Sequence, residues 1–375
     1  MKKILVYGAT IKLSQDDQTG IMKKVFAEAK VFSDRFDVYV WGFDDTDIVY
    51  YHNNEMTRVK SFRNKSERRE FYFTELTSFA INNNAYAFYF RYSTTDFFLL
   101  GMLKRFRKNG IRSVIEIPTY PYRGEFTGTL KRRMIYLLDF VLRGKLHKYV
   151  ERVVVFTSSE KSIYKIPCIN TMNGVDYDSV IQVIHSDPDL SVIKMIAVSS
   201  MLPHHGYDRL LKGIKEYNAS ADDTKVELYL VGTGPEYDSY KQYVDDNGLS
   251  DCVILCGHKI GSELDGLFEK SHVAVGSLGL HRIGLNSGST LKNREYAARG
   301  LPVVYSTSDA LLDGKRYVLR VPEDESAVNV ASVVEFVKDL YKIKDVSDFI
   351  RNDSYGICDM HVVMKDVVNY LNKCK

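Results

Sequence analysis

One short segment, residues 287–304, brings together small hydroxyl residues, glycine, a lysine and a glutamate. It reads Ser-Gly-Ser-Thr-Leu-Lys-Asn-Arg-Glu-Tyr-Ala-Ala-Arg-Gly-Leu-Pro-Val-Val. The pattern predicts a helix over 289–299 that ends before a strand. The unpaired amides and the positive dipole end of such a helix attract an anion such as a diphosphate. Lys292 would add a charge, and the Glu295 carboxylate can accept hydrogen bonds from both hydroxyls of a ribose.

Taken alone, this segment supports two interpretations. In the second, it is an ordinary helix capped by Ser or Thr, with Glu295 on a solvated face. Residues 201–211 form another predicted strand, turn and helix, in which the amides of His205 and Gly206 would face a phosphate. A solvated turn containing His204 explains the same residues.

A third turn, at Gly232 and Gly234, follows a predicted strand and opens a helix. Tyr237 stands where the motif G-x-G-x-x-G requires its third glycine, so the dinucleotide fingerprint is absent. Close approach of this backbone to a nucleotide remains compatible with the two glycines.

The elements that would position these residues alternate between strands and helices, which is typical of parallel α/β architecture. Strands are predicted over 4–7, 37–41, 87–91, 113–117 and 152–156, and then over 193–198, 227–231, 253–256, 273–275 and 303–305. Helices are predicted over 21–32, 68–82, 96–109 and 130–150, and then over 236–247, 262–270 and 289–299.

The polar stretch 185–189, with a proline before a new strand, predicts the main domain boundary. The predicted domains are residues 1–185 and 186–355. A last helix, about 359–372, lies in a terminal segment, 356–375, and is long enough to pack back on the first domain.

The composition excludes several protein classes. The chain has 375 residues, 45% of them hydrophobic, and a net charge of +3, which suits a globular protein and is too small to indicate nucleic acid. Residues 1–185 contain 29 Lys and Arg against 20 Asp and Glu, so we expect an anionic partner or surface for this half. The five cysteines show no zinc or disulfide spacing, which favours a reducing, cytoplasmic setting. No apolar run approaches the length of a membrane span.

Four motifs together resemble glycosyltransferase family 4. They are Asn-Gly-Val-Asp at 173–176, Val-Gly-Thr-Gly-Pro at 231–235, Asp-Cys-Val-Ile-Leu-Cys-Gly at 251–257, and the Glu-to-Val stretch 295–304. In the first half, Arg-Tyr-Ser at 91–93 and Glu-Ile-Pro-Thr-Tyr-Pro-Tyr at 116–122 resemble the members that build bacterial capsule, exopolysaccharide or lipopolysaccharide. The resemblance implies a GT-B fold of two facing Rossmann-like domains, with the donor bound mainly by the second and the acceptor by the first.

The resemblance also implies roles for particular residues. Glu295 matches the second glutamate of the family's E-x7-E motif, which holds the nucleotide ribose. The amides of Ser289, Thr290 and Leu291 match the loop that meets the diphosphate. The remaining matches are the backbone that meets the base, at Gly257, His258 and Lys259, and the glycine-rich first loop, at Gly20.

The chain departs from the family at several positions. Ser287 replaces the first glutamate of E-x7-E, which contacts the transferred sugar. Ser200 and His205 replace the arginine and lysine that neutralise the diphosphate. We therefore expect Lys292, His205 or Arg282 to meet that charge.

The family's histidine in the first domain is also missing. Glu116 lies in that region, and both it and Glu125 are candidates for positioning the acceptor, with a structural role as the alternative.

The resulting hypothesis is retaining glycosyl transfer from a nucleotide diphosphate sugar to a glycan or polyprenyl-linked glycan. Fixed dipoles and cations around the leaving diphosphate would stabilise its charge. Glu116, Lys292 and Glu295 are the predicted catalytic residues. No Asp-x-Asp metal motif stands out, because 44–47 and 187–189 fit loops better, so we expect neither metal nor cofactor. A nucleotide-sugar epimerase and a non-catalytic glycan- or nucleotide-binding subunit are the alternatives.

The stretch 131–148 is basic at both ends and apolar at helical spacing. It fits an amphipathic helix on anionic lipid, near a polyprenyl-linked acceptor. It fits equally a helix packed on the sheet of its domain, with solvated basic residues. The first interpretation predicts a cytoplasmic protein that is peripheral to the membrane.

Overall fold

The computed structural model describes residues 2–13, 20–126, 129–157, 159–185, 188–220 and 223–373, with all side chains in these ranges except those of residues 65, 66, 124 and 125. The chain divides into two compact units. The first contains residues 1–172 and 360–375, and the second contains residues 173–359. The predicted boundary falls at residues 185 and 186, and residue 186 lies outside the described ranges.

The first unit is built on a nine-stranded sheet in the order β4-β3-β2-β1-β5-β6-β7-β9-β8. Its strands are β1 (Lys3–Lys12), β2 (Phe36–Asp44), β3 (Asp47–His52), β4 (Glu55–Ser61), β5 (Ala87–Arg91), β6 (Arg112–Ile117), β7 (Arg152–Val155), β8 (Ser162–Ile163) and β9 (Ile166–Asn170). Its helices are α1 (Gly20–Ser33), α2 (Lys65–Asn82), α3 (Phe97–Lys108), α4 (Leu130–Arg143) and α11 (Met360–Asn372).

Side chains alternate across this sheet and bury both of its faces. Leu5 and Tyr7 point into one core together with α1, whereas Val6 between them points into the other core. The last helix, α11, joins the α1 side through Met360, Met364, Val367 and Leu371. The predicted return of the last helix to the first domain is therefore confirmed.

The second unit has a six-stranded parallel sheet in the order β12-β11-β10-β13-β14-β15. Its strands are β10 (Val192–Val198), β11 (Lys225–Val231), β12 (Val253–Gly257), β13 (Val273–Val275), β14 (Val303–Tyr305) and β15 (Val318–Arg320). Its helices are α5 (Tyr207–Asn218), α6 (Tyr237–Asp246), α7 (Gly261–Glu269), α8 (Leu291–Ala298), α9 (Val330–Leu340) and α10 (Val346–Cys358).

The predicted α/β architecture is confirmed in both units, but the structure also contains a hairpin that the sequence did not reveal. β3 pairs antiparallel with β2, and β4 pairs antiparallel with β3 at the edge of the first sheet. The loop predicted at 44–47 is the tight turn between β2 and β3, where Asp45 has φ of 49°. Within the described ranges, no helix has the length and apolar character needed to cross a bilayer.

Candidate active site

The candidate site lies at the point in the second sheet where the order of the strands reverses, on either side of β10. β10 pairs with β11 on one side and with β13 on the other, and ligands of α/β sheets bind beyond the carboxyl ends of such strands. The loops that follow β10 and β13 meet there. The Leu278 amide donates to the His205 carbonyl at 2.9 Å. Gly206 has φ of 67°, and a Cβ there would lie 2.7 Å from the Gly279 nitrogen.

The predicted glycines of the neighbouring loops are required by the protein's own backbone. A Cβ on Gly232 would lie 1.8 Å from the Ser199 carbonyl oxygen, and one on Gly234 would lie 1.9 Å from that of Ser200. The Gly232 amide also donates to the Gly257 carbonyl at 2.7 Å. These contacts hold the loops after β10, β11 and β12 together at one edge of the sheet.

The loop before α8 is held in place from within the unit. Ser287 forms an isolated bridge with Ser308, whose carbonyl accepts from the Gly288 amide at 2.8 Å. The Ser289 hydroxyl accepts from the Asn173 amide at 2.8 Å and from Arg294 Nη2 at 3.0 Å. The Ser289 side chain is thus occupied by the protein itself, and its predicted contact with a diphosphate is left to its amide.

The first turn of α8 carries polar atoms without partners. Thr290 precedes the helix with no side-chain cap, and its buried hydroxyl oxygen has no hydrogen bond among the described residues. The buried Asn293 Oδ1 also has none, and it packs 2.4 Å from where a Cβ of Gly276 would be. Since the first amides of a helix lack internal acceptors, this turn offers donors to an anion.

Lys292 projects from this same turn without a carboxylate partner. Its Nζ lies 3.4 Å from the Tyr207 hydroxyl oxygen and 5.7 Å from the centre of that ring. No carboxylate of the described residues forms an ion pair with it. Burial lowers the pKa of Lys292 to about 7, because desolvation disfavours the ammonium.

His205 lies beside Lys292 and is uncharged at neutral pH. Burial, and then the charge of Lys292, hold the pKa of His205 well below its usual value. Its Nδ1 accepts from the Leu202 amide at 3.0 Å, so the ring proton lies on Nε2. This corrects the prediction that His205 supplies a cation: it can donate a hydrogen bond to a phosphate but carries no charge.

Arg282, the third predicted cation, is occupied by acidic side chains. Its Nη1 and Nη2 each donate to an Asp208 carboxylate oxygen at 2.9 Å. Its Nε donates to Glu325 at 2.9 Å, and Nη1 also donates to the Pro203 carbonyl at 2.7 Å. This corrects the prediction for Arg282, because its charge is already compensated. Of the three, Lys292 alone has an uncompensated cationic group.

The remaining predicted donor residues lie near this edge of the unit. Glu295 is partly buried on α8, and its Oε1 accepts from Arg299 Nη2 at 2.9 Å, so a ribose would share this carboxylate with an arginine. His258 is exposed, and Lys259 pairs with Glu263 at 2.7 Å. The exposed Ser200 and the backbone of Leu291 complete the set.

Comparison with known families identifies this unit. Residues 193–339, which contain the loops after β10 to β13 and the start of α8, match the family described as Glycosyl transferases group 1. The match lies within the second unit and covers 147 of its 187 residues. The protein is therefore a glycosyltransferase enzyme. No curated protein sequence matches the chain significantly.

Solved glycosyltransferase structures are similar to this one over almost the whole chain. Sucrose-phosphate synthase from Thermosynechococcus elongatus superposes with a TM-score of 0.70 at 11% identity, covering 99% of both chains. WaaG, a glycosyltransferase involved in lipopolysaccharide biosynthesis, gives 0.63 at 11% identity, covering 99% of this chain and 100% of its own. Anabaena HepE, solved with UDP and glucose, gives 0.63 at 12% identity and covers 100% of both chains. The predicted GT-B fold is confirmed.

In the first unit of the glycosyltransferase, Glu116 is fully buried. Its carboxylate accepts from Lys24 Nζ at 2.8 Å, from the Tyr89 hydroxyl at 2.9 Å and from Arg91. In this arrangement Glu116 holds Arg91, at the end of β5, and both of its carboxylate oxygens are occupied by the protein's own donors. Gly20 begins α1 in the same unit, and the six residues before it lie outside the described ranges, as does the side chain of Glu125.

Sequence reasoning missed the residues that hold the glycosyltransferase site in shape. Arg294 is fully buried and donates to the Asn173 carbonyl at 3.0 Å and to Asp309 at 2.7 Å. Asn173 was noted only as part of a motif, and Tyr207 was noted only as part of a turn and helix. The one signal in the sequence is the charge of Arg294, which lies about 100° around the helix from Glu295. Within the described ranges, no three His, Cys, Asp or Glu side chains are grouped as metal ligands.

Proposed function

We propose that this glycosyltransferase moves a sugar from a nucleotide diphosphate sugar to a hydroxyl of a glycan. The donor diphosphate would lie against the loop 287–291 and the first turn of α8, beside His205 and Lys292. The ribose would lie further along the helix, at Glu295. The UDP complexes of the similar HepE structure support a nucleotide-linked donor.

The observation that carries this proposal is the uncompensated ammonium of Lys292. Lys292 is partly buried, where a cation without a carboxylate is costly, and a diphosphate would offset that cost by pairing with it. Ser200 and His205 occupy the two positions of the family's cation pair, and neither carries a charge. Lys292, on α8, would therefore supply the positive charge that the loop after β10 lacks. The amides of the helix start and the neutral His205 Nε2–H would add hydrogen bonds.

The chemistry that this arrangement supports is the departure of the diphosphate. Negative charge grows on its oxygens as the sugar becomes oxocarbenium-like, and fixed donors placed there stabilise that charge without reorganising. We propose retention of the anomeric configuration, which the resemblance to family 4 implies. The leaving phosphate would then take the proton of the acceptor hydroxyl, so no separate protein base and no metal are required.

We further propose a bacterial surface glycan, such as capsule or lipopolysaccharide, as the acceptor, in free or polyprenyl-linked form. The similarity to WaaG, named for lipopolysaccharide biosynthesis, supports this class. Reaction with a polyprenyl-linked acceptor places the protein in the cytoplasm, at the inner face of a membrane.

Thermal-shift and calorimetric screening against UDP-, GDP-, ADP- and dTDP-linked sugars tests the donor. A ligand at about 100 times its Kd should stabilise the protein by about 2.7 kcal/mol. The Lys292→Met variant should lose at least tenfold in affinity for the same donor. The matched control is Lys215→Met, which removes an exposed lysine of α5 in the same unit and should leave the affinity unchanged.

Two results would contradict the proposal. One is a donor that binds Lys292→Met as tightly as the wild type. The other is formation of an epimeric nucleotide sugar in the absence of acceptor, because a transferase should give only slow hydrolysis of its donor. Product analysis with the purified full chain distinguishes these outcomes.

A further inference from the structure

Helix α4 turns its apolar side away from the protein. Four residues at helical spacing, Leu130, Met134, Leu137 and Val141, are 74%, 63%, 62% and 63% exposed, and we call them the apolar stripe. Positions i, i+4, i+7 and i+11 lie on one side of a helix. An amphipathic helix of a globular unit normally directs such a side toward the core, so this orientation needs a reason.

A buried polar contact on the opposite side holds α4 in this orientation. Asp139 is fully buried and lies across the helix from the apolar stripe. Its carboxylate accepts from the Thr95 amide and from the Tyr122 hydroxyl, both at 2.7 Å, and from the Tyr92 hydroxyl. Asp139 and Leu142 are the buried residues of this helix. Turning the apolar stripe inward would separate the Asp139 carboxylate from its hydrogen-bond donors, which costs free energy. The orientation of α4 is therefore fixed by these hydrogen bonds.

The exposed charges of α4 and of the turn that follows it are all positive. Lys131, Arg132 and Arg133 are exposed in the first turn, and the acidic residue of the helix, Asp139, is buried. Lys131 and Arg133 lie on either side of the stripe at 100° per residue. The exposed Lys145 and Lys148 follow its end. This surface therefore fits a partner that is both apolar and anionic.

We infer that α4 is an interfacial helix that seats the first unit on an anionic lipid bilayer, with the apolar stripe among the acyl chains and Lys131 and Arg133 among the head groups. A helix of 14 residues is about 21 Å long, too short to span but suited to lie in the membrane plane. A second copy would bring like charges together across a symmetric contact, which disfavours self-association. The inference rests on the proposed function only for its purpose, access to a lipid-linked acceptor.

Vesicle flotation of the full chain tests the inference. We expect binding to vesicles of phosphatidylcholine with 30% phosphatidylglycerol, and at least tenfold weaker binding to phosphatidylcholine alone. The variant Met134→Gln/Leu137→Gln/Val141→Gln should bind the anionic vesicles at least tenfold more weakly than the wild type. Its control, Met56→Gln/Ile184→Gln/Val362→Gln, removes three exposed apolar residues elsewhere and should bind as the wild type does.

A second pair of variants isolates the charge. Lys131→Gln/Arg132→Gln/Arg133→Gln should lose the preference for anionic vesicles, whereas Lys104→Gln/Arg105→Gln/Lys108→Gln, with equal charge removed from exposed sites on α3, should keep it.

The inference is overturned if the wild type binds neither vesicle, if both charge variants behave alike, or if removing the apolar stripe only converts a dimer to a monomer. Calorimetry with nucleotide sugars in vesicle-free buffer tests the proposed function separately. A protein that binds the donor but no vesicle would overturn the membrane inference and leave the proposed function standing.

Discussion

The Lys292 ammonium lies 3.4 Å from the Tyr207 hydroxyl, a neutral partner that cannot compensate its charge. Burial accordingly lowers the pKa of Lys292 to about 7. A bound diphosphate favours the ammonium and would raise this pKa again. Donor binding at pH 8 should therefore take up a proton, because most of the free protein has a neutral Lys292 at that pH.

Calorimetry of donor binding at pH 8, in buffers of different ionisation enthalpy, measures this uptake. We expect a large fraction of one proton for the wild type and close to none for Lys292→Met. At Lys292 the unfolded chain binds more protons than the folded one between pH 7 and about 10.5, so the contribution of this residue to stability should rise with pH across this window and should be lost in the variant. Equal proton uptake by both proteins would contradict the assignment.

Glu295 should matter for transfer more than for folding. Glu295→Ala removes the carboxylate proposed to hold the ribose, and we expect at least a tenfold loss in kcat/KM, or about 1.4 kcal/mol. Arg299 keeps its ion pair with Asp265 at 2.8 Å, so the fold should persist. Glu263→Ala, which breaks the exposed pair with Lys259 in the same unit, is the control. Turnover equal to that of the wild type in Glu295→Ala would reject this role.

Two buried carboxylates of the first unit should respond differently to amide substitution. Burial favours a neutral Glu116, but the charges of Lys24 and Arg91 outweigh it and lower the pKa of Glu116 to about 2. Burial and the charge of Glu116 raise the pKa of Glu28 to about 7. Glu116→Gln should therefore cost about 3–5 kcal/mol at pH 7, because it leaves the buried guanidinium of Arg91 unpaired and leaves Lys24 with Glu28 as its carboxylate partner.

Glu28→Gln should cost about 1 kcal/mol under the same conditions, since an amide resembles a carboxyl group that is already partly protonated. Urea denaturation of both variants at pH 7 makes the comparison. Equal losses of stability would show that the two carboxylates carry the same charge in the folded state.

The order of elements was readable from the sequence wherever periodicity was strong. The strands at Val273–Val275 and Val303–Tyr305 agree with the prediction to the residue, because short β-branched runs bounded by turns have few alternatives. The polar, mostly exposed edge strand β4 shows no such pattern and was missed. The predicted helix 130–150 ends at Arg143 and is followed by a separate turn at Leu146–Lys148.

The candidate site was predictable only in part, because charge depends on neighbours that are distant in sequence. The small residues before α8 identify a helix start from local spacing alone. The pairing of Arg282 with Glu325 joins residues 43 positions apart, and no local pattern reveals it. The neutral state of His205 likewise follows from burial between two loops. Lys292 was one of three candidates in the sequence, and only tertiary contacts distinguish it.

The glycines at the sheet edge provide a test of how tightly the site is built. Gly232→Ala and Gly234→Ala would each place a Cβ within 2 Å of a carbonyl oxygen, of Ser199 or Ser200, so the loops must separate. We expect each substitution to cost about 3 kcal/mol or more and to weaken donor binding.

Two other glycines provide the controls. Gly257→Ala meets no atom within 4 Å and should cost only about 1–2 kcal/mol, from its φ of 65°. Gly266→Ala, inside α7 with open space around it, should stabilise the protein by about 0.5–1 kcal/mol. Denaturant midpoints rank the four variants, and a Gly232→Ala protein as stable as Gly266→Ala would show that the loops after β10 and β11 do not pack as described.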